Sequence, residues 1–409
     1  MTVTVSGSAA PAPPPAPSRP APAARTEPGP TDRRVIAIAV AFQLAGSLGF
    51  FAVMSHLVGH LRHDVGLMAG TIGLVLGVRV GLQYALLLPV GAITDAIGVR
   101  RTGTIACAVR AGGFALLATA DGVGTLLCAA TAIAAGGALY HPAGQSLLAS
   151  LHPARRSGGF GAYIATQHLA TIAGPPLGLG LLALGHGFTV VAATGAALWG
   201  LAAVLFLLLP LRAAEKRGVP RFRDVFAGVG TVVRDRRFLM FALMTAPTTL
   251  LATHIMTAVP LLGFGSAAVT VCMCVLAVAA ASAQPVVASG GRGERPWMLR
   301  AGLLCAAGAF AVLAVLDGTQ TGPLVVAAVL NGTANGIVQP CIFQRVARHA
   351  PRERFGSYYG VLAFCGGMFA CAGDLVMGRL YDLGPTAATA ALLGVGALAL
   401  VSAAGTKGP

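Results

Sequence analysis

Twelve long apolar runs, separated by short polar loops, limit the fold of this sequence more than any other feature. About 20 residues of helix cross a hydrocarbon core of about 30 Å, and each run is of that order of length. Lipid offers no partner to a bare N–H or C=O group, so a crossing segment must be helical. Only 10% of the residues are charged, whereas a soluble domain carries about 25%. The sequence predicts an all-α membrane protein with twelve transmembrane helices, at residues 35–61, 68–92, 102–119, 123–151, 160–184, 188–211, 238–262, 267–289, 298–316, 323–346, 358–377 and 387–404.

Basic residues predict how these helices are oriented. The net charge is +15. With the N-terminus in the cytoplasm, all but four of the 28 basic residues fall on the cytoplasmic side, because Arg62 and Arg379 lie outside and Arg79 and Arg110 lie within runs. Cytoplasmic loops of membrane proteins are enriched in Lys and Arg. We expect a multi-pass protein of the inner (plasma) membrane with both termini in the cytoplasm, in contact with lipid and not with nucleic acid.

Composition divides the chain into four parts. Residues 1–33 are rich in Pro and Ala, without an apolar core, and are predicted to be a disordered cytoplasmic tail. Two six-helix bundles follow, at residues 34–211 and, with a short C-terminal tail, at residues 238–409. A basic cytoplasmic linker at residues 212–237 separates them.

The two predicted bundles share a spacing pattern, which indicates an internal repeat. At a shift of 198 residues the matching pairs are Pro142 and Pro340, Pro153 and Pro351, Arg156 and Arg354, Gly158 and Gly356, and Gly180 and Gly378. Two similar halves related by an axis along the membrane normal are typical of transporters. Rocking one half against the other can open a midplane site to each side in turn.

A short charged stretch, GAITDAIGVRR, joins predicted helices 2 and 3 on the cytoplasmic side. Gly91 and Gly98 allow a tight turn and close helix approach. Asp95 at the end of helix 2 can face the positive N-terminal end of a helix from the other half, beside the Arg100 and Arg101 pair. Such a contact would act as a gate on the cytoplasmic side. The alternative is an ordinary loop with incidental charges.

This loop resembles the G-x-x-x-D-[RK]-x-G-[RK]-[RK] motif of the major facilitator superfamily, at the place where that family has it. Ala96 and Val99 stand where the family usually has basic residues, which implies a thinner charge network. The resemblance covers roughly residues 35–404 and implies two pseudo-symmetric six-helix bundles that alternate in access. The matching positions are Gly91, Asp95, Gly98 and Arg100.

Predicted helix 5 carries a second motif, AGPPLGLG. Gly174, Pro175 and Gly178 resemble the G-P-x-x-G motif of the drug:proton antiporters, the multidrug efflux branch of that family. Gly and Pro permit a bend and close packing against a neighbour, and an ordinary kinked membrane helix is the alternative. The basic residue that many such antiporters carry in helix 4 is missing here.

Ionisable groups at bilayer depth are costly and therefore indicate function. Arg79 lies in the middle of predicted helix 2, and Gln83 follows on the same helical face. We expect this pair to line a cavity, or else to bond to carbonyl groups of a neighbouring helix. Arg110 either joins them or extends to the membrane surface. Asp374, the only acid well inside a run, either carries a proton or pairs with Arg79 or Arg379.

Further polar side chains lie in predicted helices 4, 5, 7 and 10. Each histidine either titrates near neutral pH or is a hydrogen-bonded interior residue. Three amides spaced four residues apart form one stripe on helix 10, which we expect to face the central cavity. These candidates are His141, Gln145, His168, His254, Asn331, Asn335 and Gln339.

Known catalytic patterns are missing from the sequence. It contains no G-x-x-x-x-G-K-[ST], H-E-x-x-H or G-x-S-x-G. Its eight cysteines lie in apolar runs without a C-x-x-C pair, so neither a metal site nor a disulfide framework is supported. We expect no enzyme activity and no cofactor, with a proton gradient as the energy source.

The sequence predicts a monomeric secondary transporter that exports a small organic molecule, a drug or natural product, in exchange for protons. An importer or proton symporter of a small metabolite with the same fold is the alternative. A non-transporting sensor and an intramembrane enzyme are further alternatives from other classes.

Overall fold

The computed structural model describes residues 30–210, 229–316, 318–351 and 354–405. Side chains of residues 91–96, within a described helix, are outside that part. Most of the predicted tail at residues 1–33 and of the predicted linker at residues 212–237 lies outside it as well. Every regular element in the described ranges is helical, which confirms the all-α prediction.

Six helices make up the first half. They are α1 (Pro30–Gly59), α2 (Ala69–Ile97), α3 (Val99–Ala118), α4 (Val123–Ala149), α5 (Pro153–Ala183) and α6 (Gly187–Leu207). One π-helical turn, His60–Asp64, extends α1. Their core contains large aromatic side chains, among them Phe42, Phe114, Trp199 and Phe206.

Six more helical segments make up the second half. Helix α7 consists of three pieces, Arg236–Thr245, Pro247–Thr253 and Ile255–Leu261. After it come α8 (Ser266–Ala288), a 3-10 segment at Ser289–Glu294, α9 (Pro296–Leu313), α10 (Thr321–His349), α11 (Phe355–Asp382) and α12 (Pro385–Gly405). Their core includes Phe238, Phe310 and Leu392.

Nine helices of the described residues are long and apolar enough to cross a membrane, and up to ten if the bent segment in α7 counts as one span. The two helices outside that set are α3 and α5. Helix α3 contains Arg100, Arg101 and Arg110, and α5 begins with the Arg155 and Arg156 pair. The spanning role of α3 and α5, and with it the count of twelve, stays a prediction.

The two halves meet mainly where α2 crosses α11 and where α5 crosses α8. Three glycines one helical turn apart, Gly73, Gly77 and Gly81, form a stripe on α2 that we call the glycine seam. A Cβ at Gly73 would overlap the carbonyl oxygen of Asp374, and one at Gly81 would lie 2.9 Å from Cys371 Sγ. Small residues let the helix backbones approach this closely.

A break in α7 lies at a buried histidine. The helix bends by 44° at His254, between its second and third pieces. Three residues earlier, the carbonyl oxygen of Leu251 accepts a hydrogen bond from Asn331 Nδ2 on α10 at 3.1 Å. A sharp bend of a helix arises where a side chain enters its hydrogen-bond ladder or at proline, and Asn331 is such a side chain.

Candidate functional site

A chamber of about 230 Å³ lies between the two halves. Helices α1 and α2 form its first wall, and α7 and α11 form the second. Aromatic and aliphatic side chains cover much of it, and a few polar groups converge on it, as in many small-molecule sites. The polar lining groups are Arg79, Gln83, Tyr84, Thr253, Thr257 and Asp374.

The second wall contains a buried acid–imidazole pair. His254 Nδ1 lies 3.1 Å from Asp374 Oδ1, and both side chains are almost completely buried. His254 Nε2 is buried without a hydrogen-bond partner in the described part of the chain. Asp374, which the sequence predicts as a proton carrier or as a partner of Arg79 or Arg379, contacts His254 and no arginine within 4 Å in the described residues. Its role as a proton carrier stays a prediction.

Arg79 faces the chamber from the first wall. Within the described residues it makes no hydrogen bond and no ion pair shorter than 4 Å, and its Nε is buried without a partner. Its guanidinium carbon lies 5.8 Å from the centre of the Phe50 ring, a contact worth about 0.5–2 kcal/mol. One turn along α2, Gln83 Oε1 is also buried without a partner. The predicted pair therefore lines the chamber with open hydrogen-bonding capacity.

Arg110 does not reach the membrane surface, which is a correction to one of the two sequence expectations. It is 4% exposed, and its Nε donates to the Ile133 carbonyl on α4 at 3.2 Å. The guanidinium carbon lies 5.0 Å from the Phe50 ring and 4.4 Å from the Trp199 ring. These rings from α1 and α6 hold Arg110 inside the first half, behind the chamber wall.

A larger cavity of about 700 Å³ adjoins the chamber. Gln83 and Tyr84 line both spaces. The cavity occupies the end of the molecule at which α4 ends and α7 and α11 begin, which is the predicted cytoplasmic side. The predicted residues His141, Gln145 and Gln339 line it.

The three amide side chains of the α10 stripe have different neighbours. Gln339 lines the large cavity, and Asn335 donates to Asn331 Oδ1 at 3.1 Å. Asn331 is fully buried and bonds to α7. The expectation that all three face the central cavity is therefore wrong for Asn331, because its side chain donates to the Leu251 carbonyl oxygen near the bend in α7.

Asp382 joins the two halves at the opposite, predicted outer end. This last residue of α11 accepts hydrogen bonds from the backbone N–H groups of Ala69 at 2.8 Å and Gly70 at 2.7 Å. Those N–H groups begin α2, where the helix dipole favours a carboxylate. Gly378 packs one turn deeper, where a Cβ would lie 2.6 Å from the Ala69 carbonyl oxygen. The halves are thus in contact at this end, and sequence inspection did not single out Asp382.

The α5 motif packs against α1 within the first half. A Cβ at Gly174 would lie 2.6 Å from Phe51 Cβ, and one at Gly178 would overlap the Ala52 carbonyl oxygen. The carbonyl oxygen of Pro175 lies 3.0 Å from Nε2 of His56 on α1. All three motif residues therefore serve one close helix contact.

Polar contacts also join α5 to α8 across the halves. Pro176 has no N–H, so the carbonyl of Ile172 lacks its helical donor, and Cys274 Sγ on α8 lies 3.3 Å from that oxygen. His168, a predicted cavity residue, lies 3.0 Å from Gln284 Oε1 on α8. His168 lies at this crossing and is not among the residues that line the chamber or the large cavity.

The predicted gating loop is described in part. Gly98 precedes α3 with a φ of 88°, a left-handed conformation that glycine adopts without strain. The carbonyl of Arg100 accepts from Thr104 Oγ1 at 2.9 Å, and Arg101 is exposed. The side chains of Gly91 and Asp95 lie outside the described residues, so the gate stays a prediction.

A second carboxylate cluster lies at the start of α7. Asp235 Oδ1 accepts from the backbone N–H of Phe238 at 3.1 Å. Its Oδ2 accepts from Tyr358 at 3.1 Å and lies 2.7 Å from His349 Nε2. Burial raises the pKa of Asp235, but the hydrogen bonds from His349, Phe238 and Tyr358 lower it more, so the pKa lies below its usual value. The cluster joins α7, α10 and α11, and no pattern in the sequence predicts it.

All eight cysteines are free thiols. Among the residues that the structure describes, no group of His, Cys, Asp or Glu could hold a metal ion.

Two helical bundles around a shared polar chamber define a membrane carrier. The sequence model of the Major Facilitator Superfamily matches residues 36–373, and the chain belongs to this family. Its members are transporters, which confirms that the protein is a carrier and not an enzyme.

Curated relatives include the uncharacterized MFS-type transporter Rv0849 of Mycobacterium tuberculosis, 29% identical over 83% of this chain and 84% of that protein. The multidrug resistance protein MdtH of Edwardsiella ictaluri is 33% identical over 53% of this chain and 52% of its own length. The match to MdtH thus extends over about half of each chain.

Solved structures share the fold at low sequence identity. A peptide transporter POT in complex with sulfate superimposes with a TM-score of 0.76 at 16% identity, covering 91% of this chain and 93% of that one. The human organic anion transporter MFSD10 gives a TM-score of 0.67 at 20% identity, covering 92% and 100%. These likenesses establish the major facilitator fold and nothing about substrate.

Proposed function

We propose that this transporter exports a small amphipathic molecule, a drug or natural product, in exchange for protons across the inner membrane. The His254–Asp374 pair supports this proposal most strongly. Asp374 lines the chamber between the halves, and its contact with His254 is almost completely buried. The partial match to MdtH agrees with multidrug export.

Substrate and a proton compete for Asp374, and this competition couples their transport. A substrate group that donates to the Asp374 carboxylate and a proton on the same carboxylate exclude each other. His254 holds one carboxylate oxygen, so its orientation toward the chamber is fixed in both forms. The carrier then moves substrate in one direction and a proton in the other.

The shape of the molecule favours loading from the cytoplasm. The 700 Å³ cavity lies at the predicted cytoplasmic end. At the other end the hydrogen bonds of Asp382 to the start of α2 hold the halves together. We expect the monomer, with both termini in the cytoplasm, to open outward once these contacts separate.

Everted membrane vesicles test the direction and the coupling. A susceptibility panel in an efflux-deficient bacterium, with and without an uncoupler, first supplies a substrate. Export by proton antiport predicts that this substrate enters the vesicle lumen and that the lumen becomes alkaline. Asp374→Asn should abolish both signals, and Asp121→Asn, which changes an exposed acid in the α3–α4 loop, should leave both intact. Lumen acidification, or flux that survives Asp374→Asn, contradicts the proposal.

A further inference from the structure

Opposite charges face the chamber from its two walls. Arg79 comes from α2 in the first half, and Asp374 comes from α11 in the second. In the described part of the chain they form no ion pair within 4 Å, since the close partner of Asp374 is His254. A guanidinium does not lose its proton in proteins, so the first wall is cationic in every step of the cycle.

The first wall has unused hydrogen-bonding groups. Arg79 Nε and Gln83 Oε1 lie one turn apart on the same face of α2, and both are buried without a partner in the described residues. A charge at bilayer depth is rare unless it is paired or serves a ligand. Arginine is suited to planar, bidentate contact with a carboxylate. The ligand group that complements Arg79 is therefore an acid.

The second wall is suited to a cationic nitrogen. His254 occupies Asp374 Oδ1, and no hydrogen bond within the described ranges involves Oδ2. Three aromatic side chains of the first wall, Phe50, Phe51 and Tyr84, also line the chamber. Their rings can hold an apolar body between the two charged ends.

We propose that the substrates are zwitterions, with an acidic group that binds Arg79, a basic nitrogen that binds Asp374, and an aromatic body between them. This rests on the proposed function, because the basic nitrogen is the group that displaces the proton from Asp374. The dipolar part must fit about 230 Å³. Longer substituents extend past Gln83 and Tyr84 into the large cavity.

Three related probes test the charge requirement on the purified protein in nanodiscs. The zwitterion is 4-(aminomethyl)benzoic acid, the cation is its methyl ester, and the anion is its N-acetyl derivative. Binding is measured by thermophoresis at pH 7 and checked with the meta isomers. We expect the zwitterion to bind at least about tenfold more tightly than either derivative, the factor of one lost charge contact of about 1.4 kcal/mol.

Two variants assign the acid-binding role to Arg79. Arg79→Gln should abolish the preference for the zwitterion over the ester, and Arg79→Lys should retain part of it. Size-exclusion chromatography checks that both fold. Equal binding of the three probes to the wild type, or a preference that survives Arg79→Gln, overturns the proposal. Binding is measured without a proton gradient, so the two proposals can fail separately. A preference for the zwitterion without proton-coupled flux contradicts the antiport proposal alone. Proton-coupled flux without a preference for the zwitterion contradicts the zwitterion proposal alone.

Discussion

Removing the carboxylate of Asp382 should open the predicted outer end of the molecule. Its two hydrogen bonds to the N–H groups of Ala69 and Gly70 are the contacts that cap α2 from the other half. Loss of a helix cap costs about 0.5–2 kcal/mol. Because this cap exists only when the halves are closed at this end, Asp382→Ala should shift the equilibrium toward the outward-open state. A loss of 1–2 kcal/mol is a shift of roughly 5- to 30-fold.

Double electron–electron resonance measures the distances between two spin labels and therefore this shift in population. Labels at Leu184 and Leu383, exposed residues at the predicted outer ends of α5 and α11, report the distance between the halves in a variant without the eight native cysteines. Asp382→Ala should increase the population at long distance, and Asp382→Asn, which keeps one acceptor oxygen at the same reach, should increase it less. Asp121→Asn is the control and should change nothing. A folded Asp382→Ala protein with the wild-type distance distribution would refute the reasoning.

Three further predictions concern helix contacts and are checked by thermal unfolding in detergent. Gly73→Val should lower the free energy of unfolding by more than the usual 1–3 kcal/mol of overpacking, because its Cβ would overlap an α11 carbonyl oxygen. Gly112→Ala has open space around it and should be neutral or stabilising. Equal effects of the two variants would contradict the close packing at the glycine seam. Asn331→Leu should cost about 1–3 kcal/mol by leaving the Leu251 carbonyl without a donor, and an unchanged melting temperature would argue against it. Asp235 has a lowered pKa, so its contribution is present above the unfolded pKa of about 3.9 and is lost as pH falls through the folded value. Asp235→Asn should therefore destabilise at pH 7 and progressively less below about pH 4, and a difference that grows in acid would be the contrary result.

The helices follow from the sequence because lipid permits no other backbone structure. The apolar runs predict each helical segment in order, and the repeat predicts that Pro142 and Pro340 lie inside equivalent helices, α4 and α10. The burial of Arg110 was not predictable. It depends on rings from α1 and α6, and a single run of residues gives no information on which neighbours surround it.

The sequence predicts which residues belong to the site but not which of them are in contact. Arg79, Gln83 and Asp374 attract notice because polar groups are costly in an apolar run. Asp374 and His254 are 120 residues apart, and their contact requires both the crossing of α7 with α11 and the bend at His254. Asp382 stands at the end of a run, where an acid is ordinary, so only the packing of the two halves shows its role.

The glycine seam bears on how fast the halves can move. Where side chains interlock as ridges in grooves, rotation requires them to lift out of one another. At Gly73 and Gly77 the backbone of α2 lies against backbone carbonyl oxygens of α11, and at Gly81 it lies against the short side chain of Cys371. The α2–α11 crossing therefore offers little steric resistance to rotation of one half against the other. The rate of turnover should be governed by the cap at Asp382 and the α5–α8 contacts rather than by the glycine seam.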